Sequence, residues 1–128
     1  MARNETDLQI VCARYLDHLP NVLWCHVANE RQTTMMRGGK LKKMGVKSGV
    51  PDILIFEGRG GFNGLAIELK FGRNKTTENQ NHWLWGLFQR GWQTAVVTNF
   101  DEFQKIVDDY LAGEGVIFTF ENHQKSHK

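Results

Sequence analysis

The sequence predicts an α/β fold, a mixed β-sheet flanked by helices, on three observations. Apolar residues recur at helical spacing in three stretches. Shorter runs rich in β-branched and aromatic residues lie between them. Glycine, proline and capping residues punctuate the two kinds of segment. With 128 residues, 41% of them hydrophobic, the chain is expected to form one domain over residues 1–121 and a flexible polar tail over 122–128, with a core that needs neither disulfide nor structural metal. Cys12 and Cys25 fit no C-x-x-C pattern and read as reduced thiols. No apolar run approaches the ~20 residues that span a bilayer. The polar start from Met1 to Asp7 lacks the apolar region of a signal peptide, so a cytoplasmic, soluble protein is expected.

In chain order, Leu8, Val11, Cys12, Tyr15, Leu16 and Leu19 predict an amphipathic helix from about Asn4 that Pro20 stops. Two N-caps compete for it. Thr6 with Gln9 reads as a capping box, whereas Asn4 as cap places Glu5 in the first turn. Val22 to Ala28 reads as a strand, and the polar, glycine-rich stretch from Asn29 to Gly49 as a long functional loop. Pro51 suits the start of a strand, and Ile53 to Phe56 follows as one buried on both faces. A glycine-rich turn then returns the chain through Leu65 to Phe71, a second strand expected to pair antiparallel with the first. Thr77-x-x-Gln80 is a capping box for a helix with Trp83, Leu84, Leu87 and Phe88 on one stripe and Gly91 past its end. Gln93 to Thr98 reads as a strand, Asn99 caps a last helix buried through Phe103, Ile106, Val107, Tyr110 and Leu111, and Val116 to Phe120 reads as an edge strand.

The formal net charge is only +2, but Arg37, Lys40, Lys42, Lys43 and Lys47 fall together with no acidic residue among them. A polyanion is the natural partner of such a segment. On the strand from Leu65, Ala66, Glu68 and Lys70 share one face, with Glu68 and Lys70 roughly 7 Å apart along the backbone. Alone, such a pair reads as the solvated side of a strand. Asp52, at the mouth of the neighbouring strand, changes that reading, because two carboxylates and an amine can then converge where the sheet opens. Carboxylate oxygens, a backbone carbonyl and water suit a hard cation such as Mg²⁺. A nearby ammonium can orient water and offset charge growing on a phosphate. Other chemistries lack support: His18, His26, His82, His123 and His127 show no zinc-ligand spacing, and Ser48 has no nucleophile elbow. No G-x-G-x-x-G or G-x-x-x-x-G-K-[ST] segment is present.

Gly49-Val-Pro51-Asp52 followed by Glu68-Leu69-Lys70 resembles the P-D…(D/E)-x-K motif of the restriction-endonuclease-like nucleases, and more narrowly the VRR-NUC (virus-type replication-repair nuclease) family. Glu5 and Gln9, Asn29, the basic glycine-containing stretch, Gly45, and Thr77-x-x-Gln80-x-x-Trp83 match the same pattern, so that the resemblance runs from about Glu5 to Val97. It looks like the stand-alone form found in phages and bacteria. The resemblance implies a restriction-endonuclease-like core and a DNA nuclease dependent on Mg²⁺ or Mn²⁺. Asp52, Glu68 and the Leu69 carbonyl would bind the metal, Lys70 would assist the water, and Glu5 would complete the site. Gln80 has a sufficient task as a cap, yet it lies on the inward stripe of its helix, where the family pattern lets it hold a metal-bound water or phosphate. The basic residues Arg37, Lys40, Lys42, Lys43 and Lys47, joined by Arg73 and Lys75, would position DNA phosphates. Branched DNA such as a four-way junction and a homodimer are the expected substrate and assembly. Trp85, placed away from the inward stripe, and the Val116 to Phe120 segment are the apolar features that point to self-association. Rival readings are a catalytically silent DNA-binding module, against which the intact Asp52, Glu68 and Lys70 argue, and a subunit of a replication or repair assembly.

Overall fold

The computed structural model describes residues 2–28 and 35–115, with side chains in the second stretch from residue 39 onward. The elements are α1 (Glu5–His18), β1 (Trp24–His26), α2 (Met35–Lys43), β2 (Ile53–Ile55), β3 (Leu65–Leu69), α3 (Glu78–Gln89), β4 (Gln93–Val97) and α4 (Phe100–Leu111). The strands form one mixed sheet in the order β1-β2-β3-β4, antiparallel up to β3 and parallel between β3 and β4. Asn29, the Val116 to Phe120 segment and the tail 122–128 lie outside the described residues.

Each helix starts where its capping chemistry dictates. Asn4, not Thr6, caps α1, accepting from the Asp7 amide at 2.8 Å, so Glu5 is the first helical residue. Thr77 and Gln80 form both bonds of the capping box on α3, and Asn99 accepts from the Glu102 amide on α4. Gly91 and Gly113, with φ of 87° and 82°, take the left-handed position after α3 and α4. Leu8, Cys12 and Leu16 of α1 and Phe103, Val107 and Tyr110 of α4 pack with Leu65, Ile67, Leu69, Ala95 and Val97 in one buried core. In that core burial pushes the Cys12 thiol up to about 12, leaving it inert, whereas Cys25 is exposed on β1. Helix α3 packs against β3 and β4 through buried Leu84 and Gln80.

Two expectations change. The stretch read as a loop contains α2, in which Met, Leu and Lys, all good helix formers, outweigh the cost of Gly38 and Gly39, about 1 kcal/mol each. The strands are also shorter than the apolar runs: β1 covers Trp24–His26 and β3 ends at Leu69. Lys70 still continues the ladder with one bond, from its amide to the Val97 carbonyl at 2.9 Å.

Candidate active site

The antiparallel register Ile53↔Ile67 between β2 and β3, extended by one residue, sets Asp52 opposite Glu68. Directly opposed residues share a face of the sheet, so the two carboxylates meet at its open end. Asp52 is held from three directions. Its Oδ2 accepts from the Leu69 amide at 2.7 Å, and its carbonyl accepts from the Val27 amide at 2.9 Å and from His26 Nδ1 at 2.8 Å. His26, which shows no metal-ligand spacing in the sequence, thus supports the backbone of Asp52. Only the pairing of β1 with β2 makes that visible.

Glu68 and Lys70 are not the solvated pair an isolated Glu-x-Lys suggests: they are 1% and 3% exposed. Glu68 Oε2 accepts from Gln80 Nε2 at 3.0 Å and lies 3.7 Å from Lys70 Nζ. Its other oxygen, Oε1, is buried without a hydrogen-bond partner. Burial first, and then the Asp52 carboxylate, push the Glu68 carboxyl up to about 9, although the Lys70 ammonium pulls the other way; Glu5 adds a smaller upward push. Glu5 adds its charge from the first turn of α1, three residues before Leu8 on the stripe that faces the sheet.

Gln80 performs the capping task read from the sequence and adds a bond to Glu68 that the sequence does not show. Its Oε1 accepts from the Thr77 amide at 2.8 Å while its Nε2 donates to Glu68. One amide side chain therefore fixes the start of α3 and a carboxylate at once. The first turn of α3 also anchors the chain before Asp52: Asn79 Nδ2 donates to Ser48 Oγ at 2.7 Å. At Gly49, with φ of 88°, a Cβ would stand 2.6 Å from the Asn79 carbonyl carbon. Neither contact is legible in the sequence, although Gly49 is part of the matching pattern.

A hard divalent cation fits this donor set. An orphaned buried oxygen on Glu68 and a carboxyl whose ionisation is opposed mainly by burial and a second carboxylate both gain from an added positive charge. Asp52, Glu68 and the Leu69 carbonyl are the donors that would hold it. Among the described residues no group of three or more His, Cys, Asp or Glu side chains comes together as a metal site, so Glu5 is not brought into one cluster with Asp52 and Glu68.

The basic residues lie on two segments. Lys40, Lys42 and Lys43 are exposed on α2 and Lys47 just after it, while Arg73 and Lys75 are exposed between Lys70 and α3. The backbone of Arg37 lies within α2, and its side chain is outside the described residues. Among the described residues Lys40, Lys42, Lys43, Lys47, Arg73 and Lys75 have no carboxylate within salt-bridge distance.

A mixed sheet between helices, with two carboxylates and a lysine converging at one end, defines the nuclease-type fold of the P-D…(D/E)-x-K class. The family profile of the VRR-NUC domain matches residues 3–101, and the chain belongs to this family of nucleases. A solved structure described as a VRR_NUC domain protein is similar in fold, with a TM-score of 0.75 and 23% identity over 90% of this chain and 93% of the other. No curated protein sequence matches the chain. No helix among the described residues is long and apolar enough to cross a membrane.

Proposed function

We propose that this protein is a divalent-metal-dependent DNA endonuclease that selects branched DNA, four-way junctions above all, and acts as a homodimer. The observation that carries the reading is the meeting of half-buried Asp52 with buried Glu68, Lys70 and Gln80 at the open end of the sheet, in a chain of a nuclease family. Burying charged groups without a task is costly, and well-packed apolar residues would hold the sheet at least as well. Asp52 and Glu68, with the Leu69 carbonyl, would hold Mg²⁺ or Mn²⁺, and that ion would supply polarisation of the phosphate and acidification of water. Lys70 offsets the charge that grows on the phosphate and orients the attacking water, its amine held near Glu68 Oε2. Gln80 positions Glu68 by holding Oε2, and Oε1, which has no hydrogen-bond partner, would be left to serve a cation. Lys40, Lys42, Lys43 and Lys47, with Arg37, Arg73 and Lys75, grip the backbone; such contacts carry no base sequence, so selection falls on DNA shape.

The test is a panel of end-labelled duplex, flap, single-stranded and four-way-junction DNAs incubated with Mg²⁺, Mn²⁺, Ca²⁺ or EDTA. Paired incisions in the junction with Mg²⁺ or Mn²⁺ and none with EDTA are expected. Binding without cleavage under every metal would establish the silent DNA-binding module instead.

A further inference from the structure

Helix α2 ends in a hydrogen-bonded elbow whose apolar residues lie among lysines in the sequence. The Gly45 amide donates to the Lys42 carbonyl at 3.0 Å and the Val46 amide to the Leu41 carbonyl at 3.0 Å, the paired bonds of a Schellman closure, with Gly45 at φ 102°. That closure fixes Met44 as the C-cap, the residue just past the end of α2. Met44 is 71% exposed, more than any other large hydrophobic residue among those described, and Val46 is 40% exposed. Exposed Lys40, Lys42, Lys43 and Lys47 surround them in sequence. The elbow is tied to the site, because Ser48 is bonded to Asn79, the neighbour of Gln80. At ~3.5 Å per residue Met44 lies within about 14 Å of Ser48, the span of about four nucleotides along one strand.

We infer that the Met44–Val46 elbow is a binding site for an unstacked nucleobase, and that it makes the enzyme prefer DNA with bases displaced from the helix. Apolar side chains that bind DNA do so against exposed base faces or between unstacked steps, and methionine is among those used as wedges. A continuous duplex keeps its base faces stacked away from solvent, so the lysines find phosphates there while Met44 finds no base face to cover it. At a bulge, flap or branch point the same lysines hold the flanking phosphates while a base face covers Met44. The charge around the tip selects a polyanion that carries apolar faces, which is the chemistry of nucleic acid with open bases. This rests on the DNA-cleaving reading above and specifies which substrates the site receives.

The experiment measures binding without turnover, in EDTA, by fluorescence anisotropy on the full chain. The probes are a continuous duplex and the same duplex with a two-nucleotide bulge containing 2-aminopurine. The wild type is expected to bind the bulged DNA about tenfold more tightly, roughly 1.4 kcal/mol, and to change the 2-aminopurine fluorescence. Met44→Ser/Val46→Ser is expected to lose the preference and the fluorescence change with duplex affinity unaltered, and Met44→Leu to keep both. Equal affinity of the wild type for the two DNAs, or equal weakening of both by the serine variant, overturns the inference. So does a serine variant that changes the particle mass in light scattering, or one that loses binding to mixed neutral and anionic phospholipid vesicles, since the tip then serves a second copy or a membrane. Failure of the nuclease reading registers separately, as absence of cleavage with Mg²⁺ or Mn²⁺ while the bulge preference persists.

Discussion

In the proposed site Asp52, Glu68 and Lys70 would carry different parts of the chemistry, and substitutions separate them. Asp52→Ala and Glu68→Gln should each abolish metal-dependent cleavage while circular dichroism and DNA affinity in EDTA stay near wild type; normal turnover by either variant would sink the proposed site. Lys70→Ala should slow cleavage by an order of magnitude or more without removing the ion, since an ammonium is no ligand; calorimetric titration with Mn²⁺ checks this. At Gln80 the double task gives a sharper test than cap or catalyst alone. Gln80→Glu keeps the acceptor for Thr77 but replaces the donor to Glu68 with a third carboxylate. Activity should fall strongly while the melting temperature moves little, because the cap, worth about 1 kcal/mol, survives. Gln80→Ala should lose both, and its melting temperature should drop as well.

Under the proposed function, helix α2 and the segment after it would join DNA binding to chemistry. Neutralising Lys40, Lys42 and Lys43 together should weaken DNA binding and reduce the slope of log affinity against log salt by up to about 2.7, at ~0.9 per phosphate contact. An unchanged slope would mean that α2 does not touch phosphate. Gly49→Ala probes the joint between this segment and α3. Its φ is positive and its Cβ would press on the Asn79 backbone, so a loss of about 1–3 kcal/mol of stability is expected. Thermal denaturation that left Gly49→Ala unchanged would show that the contact gives way without cost.

At the scale of the whole molecule, the described residues offer one candidate site, while the proposed cleavage of a four-way junction would take two cuts, and a twofold dimer is the commonest way to supply a second site. Trp85, 41% exposed and stacked on Phe88 with ring centroids 5.8 Å apart, and the short edge strand β1 are the surfaces the described residues offer for it. Light scattering should give twice the chain mass, and the cuts in the junction should be paired and nearly symmetric. A monomer that cleaves flaps and leaves junctions intact would favour a different structure-specific nuclease.

Much of this architecture is local and was therefore legible in the residues. The capping box at Thr77 and Gln80, the stripe Leu8, Cys12 and Leu16, and the antiparallel pairing of the strands from Ile53 and Leu65 follow from side-chain spacing and turn chemistry, which act over a few residues. Spacing also put Glu68 and Lys70 on one face, while their motif with Asp52 pointed to the family. Tertiary structure decided what distance in sequence conceals. Asn4 over Thr6 as cap set Glu5 in the first turn. α2 formed despite its glycines, as cap signals and helix formers outweighed a pattern that reads as loop. The burial of Glu68, its bond to Gln80 and the hold of His26 on Asp52 depend on the register of β1, β2 and β3 and on where α3 lies against them. A sequence pattern fixes the face on which a side chain emerges; the depth of its burial and the partner it meets depend on elements that are far apart in the chain and come together only on folding.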